Sequence, residues 1–99
     1  MDLRKLQKLI LRNKIKKGFN TTDIDFEFCH LYGEVAEAYD AYIKKKDDLG
    51  EELADIGIFL LGLAEILDVD LGAEIDKKMV KNARRVYKEI NGVLTRIDD

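Results

Sequence analysis

Residues Ile56–Leu67, IGIFLLGLAEIL, decide how this chain must fold. Only Glu65 in that stretch is charged, and Ile58, Phe59, Leu60, Leu61 and Leu63 cover most of a helix's circumference. A helix that is apolar nearly all round has to be buried nearly all round. A monomer of 99 residues cannot easily enclose it. This segment is therefore expected to pack against a second subunit, with two-fold symmetry the default.

Outward from that segment, an Asp48-x-x-Glu51 pattern similar to a capping box opens the helix, which extends to about Leu67. A first helix is expected from about Leu3 to Lys17, with Leu3, Leu6, Leu9, Ile10 and Leu11 inward and Gly18 as its stop. A second starts near Thr22, whose hydroxyl can cap free amides, and runs to about Ile43. The fourth begins after Asp70 and continues to about Ile90, closed by Gly92, leaving Thr95–Asp99 as a frayed tail. With no proline and little alternation of the strand type, the chain reads as helical throughout. Short loops make neighbouring helices antiparallel. The expected fold class is all-α, a four-helix-bundle-like single domain over residues 1–99.

Composition narrows the function classes. The sequence is 46% hydrophobic, too much for disorder, and its one cysteine, Cys29, excludes an internal disulfide framework. A lone cysteine favours a reducing compartment, so a cytoplasmic protein is expected. Residues 1–17 carry seven basic side chains and no continuous apolar core, unlike a secretory leader. The charge-free run Ile56–Ala64 is about half the length that crosses a bilayer. No membrane association is expected. The net charge of −3 hides segregation, because all 17 basic residues fall in Arg4–Lys17, Lys44–Lys46, Lys77–Lys88 and Arg96. An acidic chain of this kind makes nucleic acid an unlikely partner.

Acid pairs spaced by three are frequent, so direction carries more weight than spacing. Turning roughly 100° per residue, Glu52 and Asp55 share a sector with Phe59 and Ile66, while Glu51 and Glu65 point away. On helix two the apolar stripe is Ile24, Phe28, Leu31, Val35, Ala38 and Tyr42. Glu34 lies at one edge of it, Glu37 further round on the same side, and Asp40 opposite. Two antiparallel helices that each offer a carboxylate pair can enclose a hard cation, and oxygen donors suit Mg²⁺. The alternative is an edge of solvated acids with one buried salt bridge. Helix four, with Ile75, Met79, Ala83, Val86 and Ile90 as its apolar stripe, carries Lys78, Asn82 and Arg85 on a neighbouring face. Such a face either grips phosphate or simply snorkels into solvent.

Glu34-Val35-Ala36-Glu37 followed by Glu51-Glu52-Leu53-Ala54-Asp55 resembles the ExxE…ExxD signature of the MazG-like, all-α nucleoside triphosphate pyrophosphohydrolases. Asp68-Val69-Asp70-Leu71 and the Lys77–Tyr87 block are similar to that family's exit from helix three and its basic fourth helix, so the likeness covers about residues 15 to 88. A Gly33-Glu34 pair stands where the family often has Glu-Glu. The resemblance implies Mg²⁺, with Mn²⁺ as substitute, on Glu34, Glu37, Glu52 and Asp55. It also implies phosphate contacts from Lys78, Asn82 and Arg85, hydrolysis of an NTP or dNTP to the monophosphate and pyrophosphate, and a homodimer or homotetramer. Glu37 is the candidate base, with Lys78 and Arg85 stabilising charge on the phosphate oxygens.

Other residues have weaker claims. Phe19 and Asn20 could stack on and hydrogen-bond a base, or Phe19 could anchor its loop. His30, one turn before Glu34, reads first as structural, Cys29 as a small hydrophobe, and Tyr39 and Tyr42 as core or dimer contacts. Two other functions compete with the leading one. The first is a phosphoribosyl-ATP pyrophosphohydrolase-like enzyme, and the second is a non-catalytic helical module that binds a partner through helix three.

Overall fold

A computed structural model describes residues 2–98. It contains four helices, α1 (Leu3–Lys17), α2 (Ile24–Ile43), α3 (Leu49–Ile66) and α4 (Leu71–Ala83). A two-stranded antiparallel sheet follows, β1 (Tyr87–Ile90) and β2 (Val93–Arg96). The chain is thus mostly helical, as expected, but not all-α to its end. Among the described residues no helix is long and apolar enough to cross a membrane.

The helix starts follow local chemistry. Asp2 accepts hydrogen bonds from the Arg4 and Lys5 amides at 2.9 and 3.2 Å, and Gly18, with φ 76°, closes α1. Asp23, not Thr22, caps α2 by accepting from the Phe26 amide at 3.1 Å. Asp70 does the same for α4 through the Ala73 amide. Asp48 stands at the start of α3 but makes no side-chain cap bond, so the expected capping box does not form.

α3 lies between α1 and α2. The α1 contact is close: a Cβ on Gly62 would come within 3.1 Å of Ile10 Cγ2, so the glycine lets the two backbones approach. At the far end Gln7, fully buried, clamps the turn into α4. It donates to the Val69 carbonyl at 2.7 Å and to Glu65 Oε1 at 3.2 Å, and accepts from the Leu71 amide at 3.0 Å. Arg4 adds ion pairs to Glu65 and Asp68. The α2–α3 contact buries Ala38, Ala41 and Leu63.

Three expectations need correction. α4 ends at Ala83 instead of about Ile90, because Asn91 and Gly92, with φ 51° and 78°, make a two-residue hairpin turn that pairs Ile90 with Val93. Positive φ at both turn positions is what a type I′ hairpin requires, and Asn-Gly supplies it. The expected frayed tail is mostly strand: Thr95 and Arg96 belong to β2, and Asp98 bonds Arg96 and the Val86 amide. Asp99 lies outside the described residues. Finally, among the described residues α4 packs against α1 alone to any extent, so these helices do not form a four-helix bundle within one chain. Its apolar residues Ile75 and Met79, and Val86 and Ile90 beyond it, are exposed.

The inward line of α2 is also rotated from the expected stripe. It runs through Glu27, Leu31, Glu34, Ala38 and Ala41, whereas Phe28, Val35 and Tyr42 are exposed. The helix turns two acids inward and several aromatic rings outward.

Candidate metal and nucleotide site

That rotation assembles the site. Glu34 and Glu37 on α2 meet Glu52 on α3, and one carboxylate oxygen from each lies within 4.8 Å of the others. Glu52 continues the α3 line of Ile56, Phe59 and Leu63, at helical steps of four, three and four, which aims it at α2. Asp55, expected inward with Glu52, is exposed and outside this close group, although its charge is felt at Glu52.

Two of the carboxylates are incompletely partnered. His30 Nε2 lies 3.3 Å from Glu34 Oε1, while Glu34 Oε2 and Glu52 Oε2 are buried with no hydrogen-bond partner. Buried oxygens of this kind are costly unless something neutralises them. Partial removal from water, followed by the charges of Glu37, Asp48, Asp55 and Glu34, raises the Glu52 pKa. An all-oxygen donor set with orphaned oxygens fits a hard divalent cation. Asp48, whose Oδ1 is likewise buried and unpartnered, adds to the negative field; the sequence reading had given it only a capping role.

Lys46, from the α2–α3 loop, lies beside this group. It shares a recess of about 330 Å³ with Glu37 and Glu52 and reaches Asp40 at 3.3 Å. Hydrogen bonds from Lys44 and Lys46 lower the Asp40 pKa.

Glu34 also borders a cavity of about 830 Å³ between α1, α2 and α3. Phe19, Phe26, Ile58 and Phe59 give it an apolar, largely aromatic wall. Asn13, His30 and the Lys14–Glu27 ion pair supply the polar groups. His30 is held edge-on to Phe26 with ring centroids 5.9 Å apart, and lies 4.5 Å from Phe59. Asn20 lines the cavity too, but its amide serves the start of α2, accepting from the Asp23 amide and donating to the Asp23 carbonyl. Lys14 and Glu27 carried no expectation from sequence. The signal was available in the spacing of Glu27 from Leu31 and Glu34, at i, i+4 and i+7.

Lys78 and Asn82 are exposed on α4, and Arg85 follows its end, so the three do not share one helix face as expected. Among the described residues no ion pair or hydrogen bond joins them to the acidic group. Lys78 and Arg85 belong to a basic cluster of their own: the charge of Arg85, then partial loss of water, then Lys81 and Arg96 lower the Lys78 pKa. Cys29 is a free, exposed thiol.

A scan against protein-family models matches none, and searches of curated proteins and of solved structures find no match.

Proposed function

We propose that the protein is a Mg²⁺-dependent nucleoside triphosphate pyrophosphohydrolase that converts an NTP or dNTP to its monophosphate and pyrophosphate, as the resemblance to the MazG-like family implies. One observation supports this most. Three carboxylates converge to within 4.8 Å, two of them with orphaned oxygens, and one of the three, Glu34, borders an apolar cavity large enough for a nucleoside.

In this reading Glu34, Glu37 and Glu52 hold the ion, with Asp55 completing the set from one turn further along α3. When bound, Mg²⁺ supplies Lewis-acid neutralisation of the phosphate chain. Glu37 is exposed and lines the recess shared with Lys46, which supports its role as the base that accepts a proton from the attacking water. The water oxygen bonds to the phosphorus in line with the leaving group, the bond to pyrophosphate breaks, and its electron pair leaves with pyrophosphate. Phe19, Phe26 and Phe59 offer stacking surfaces for the base, and Asn13 with the Lys14–Glu27 pair offers hydrogen bonds to its edge. Lys78, Asn82 and Arg85 are the phosphate-binding set of the same reading, and the active form is a homo-oligomer.

Incubation with a panel of canonical and modified NTPs and dNTPs, and with phosphoribosyl-ATP, tests this. Equal release of pyrophosphate and monophosphate, abolished by chelation and by Glu52→Gln, is expected. No turnover across the panel together with no Mg²⁺ binding would leave a non-catalytic helical module.

A further inference from the structure

Lys14 and Glu27 set an ion pair into the mostly apolar wall of the cavity between α1, α2 and α3. The Glu27 side chain is 1% exposed and that of Lys14 12%. Their one hydrogen bond runs from Lys14 Nζ to Glu27 Oε1, and among the described residues neither side chain makes another. An ammonium carries three donors and a carboxylate about four acceptor positions. Most of that capacity is unused, in a place where unused polar groups are costly. A dry ion pair is also a poor source of stability, since apolar residues of similar volume commonly do as well. The Lys14 ammonium is fixed against the Phe59 ring, 4.6 Å from its centroid. The pair thus holds a donor and an acceptor side by side at the cavity wall.

The position of the pair decides what it meets. Glu27 and Glu34 lie on the same inward line of α2, seven residues apart, which is about 10 Å along the axis. Glu34 belongs to the carboxylate group and also borders the cavity. With the phosphates of a nucleotide held at those carboxylates, the far edge of its base reaches the level of Glu27. Phe19 and Phe26, 60% and 53% exposed, line the same cavity and supply rings to flank the base.

We propose that Lys14 and Glu27 read the base and select guanine, so that the preferred substrate is a guanine nucleoside triphosphate. That the ligand is a nucleotide rests on the function proposed above; which base it carries follows from the pair. Guanine presents one acceptor, O6, beside two parallel donors, N1–H and the 2-amino group. Lys14 donates to O6, and the Glu27 carboxylate accepts both N–H groups, as it would from a guanidinium. Adenine and cytosine each place one amino donor beside a ring-nitrogen acceptor, so one bond to the carboxylate is lost. Uracil and thymine set their one N–H between two carbonyls, and a carbonyl oxygen then faces the carboxylate. Hypoxanthine keeps O6 and N1–H and lacks only the 2-amino group. A site whose buried polar groups need a partner rejects the base that leaves them without one.

Pyrophosphate release by the wild type with Mg²⁺ and GTP, ITP, ATP, CTP or UTP tests the choice of base. GTP is expected to exceed ITP in kcat/KM by about 10-fold, the worth of one charge-assisted hydrogen bond, and the other three by about 100-fold. N1-methyl-GTP, blocked at the edge that the pair reads, is expected to fall to the level of ATP, and 7-deaza-GTP to match GTP. Glu27→Gln, which exchanges an acceptor for a donor, is expected to bring GTP and ATP close to parity. If that variant does not fold, the methyl and deaza analogues decide the matter on the wild type. Turnover without preference for GTP overturns the proposal and leaves the hydrolase standing. A preference for GTP that survives N1-methylation or Glu27→Gln overturns it too. Should no triphosphate turn over, calorimetry with GMP, IMP and AMP separates the two claims. Selective binding of GMP then upholds the reading of the base and removes the hydrolase, whereas equal or absent binding removes both.

Discussion

Lys14 of α1 and Glu27 of α2 form an ion pair almost without water, their side chains 12% and 1% exposed. The Lys14 ammonium also lies 4.6 Å from the centroid of the Phe59 ring on α3, so one cation ties three helices together. Removing one partner of a buried pair leaves the other charge uncompensated, which costs about 3–5 kcal/mol. Lys14→Met is expected to destabilise by that amount in urea denaturation. The double change Lys14→Met with Glu27→Leu should recover much of the loss, because an apolar pair of similar volume needs no compensation. A double mutant no more stable than the single would show that the charges themselves hold the helices in register.

Gln7 carries a different load. Its amide is the partner of the Val69 carbonyl and the Leu71 amide, the backbone groups that turn α3 into α4. Gln7→Leu keeps the volume but orphans both, at an expected cost of about 1–3 kcal/mol for each group left buried. Amide exchange should locate the damage, with faster exchange at Leu71 and the first turn of α4 while α2 is unaffected.

The hairpin is closed by Asp98. Hydrogen bonding from Arg96, reinforced by the Val86 amide, holds its carboxyl down at about 2. A depressed carboxylate pKa stabilises the fold above the ordinary value and loses that contribution as pH falls through the depressed one. The hairpin is therefore expected to stay closed through mildly acidic pH and to loosen as pH approaches 2. Asp98→Asn should loosen it at neutral pH. The exchange rate of the Ile97 amide, which donates to the Val86 carbonyl at 2.9 Å, reports both.

The hairpin also shows where sequence reading reached its limit. Lys77–Arg85 is rich in helix formers, and extending that periodicity through Val86 and Ile90 hid the Asn91-Gly92 turn. The turn was legible, because Asn-Gly between two short alternating segments is itself a hairpin signal. The bounds of α1 were legible, since Gly18 ends its apolar period, but Leu9, expected inward, is exposed and the buried residue is Gln7. On α2 the assumption that apolar residues face inward misplaced Phe28, Val35 and Tyr42. The inward line instead carries Glu27, which Lys14 compensates from another helix, and Glu34, whose Oε1 lies 3.3 Å from His30 Nε2 one turn away. Rotation angles brought Glu34, Glu37 and Glu52 toward one another but also put Asp55 among them, and Asp55 is exposed and outside the close group. The contributions of Asp48 and Lys46 were not legible, because both lie in the α2–α3 loop, where periodicity gives no direction.

At Glu52 stability, pH and metal binding become one measurement. Its carboxyl is raised above the ordinary glutamate value by partial removal from water and then by the neighbouring acids. A raised carboxylate pKa means that the ionised form costs the fold. The cost is absent at pH below the ordinary value, grows as pH rises through the window between the ordinary and raised values, and is complete above it. Metal-free wild type is therefore expected to lose stability across that window relative to Glu52→Gln, which carries no charge there. A bound divalent cation offsets the same cost and stabilises the native state by mass action. Mg²⁺ should thus raise the melting temperature of the wild type more at neutral pH than below the ordinary carboxylate range, and should do little for Glu52→Gln. Thermal melts of both proteins over a pH series, with and without Mg²⁺, provide the comparison. An equal Mg²⁺ shift in the two would place the ion elsewhere, and the three carboxylates would then be an electrostatic strain without a cation to relieve it.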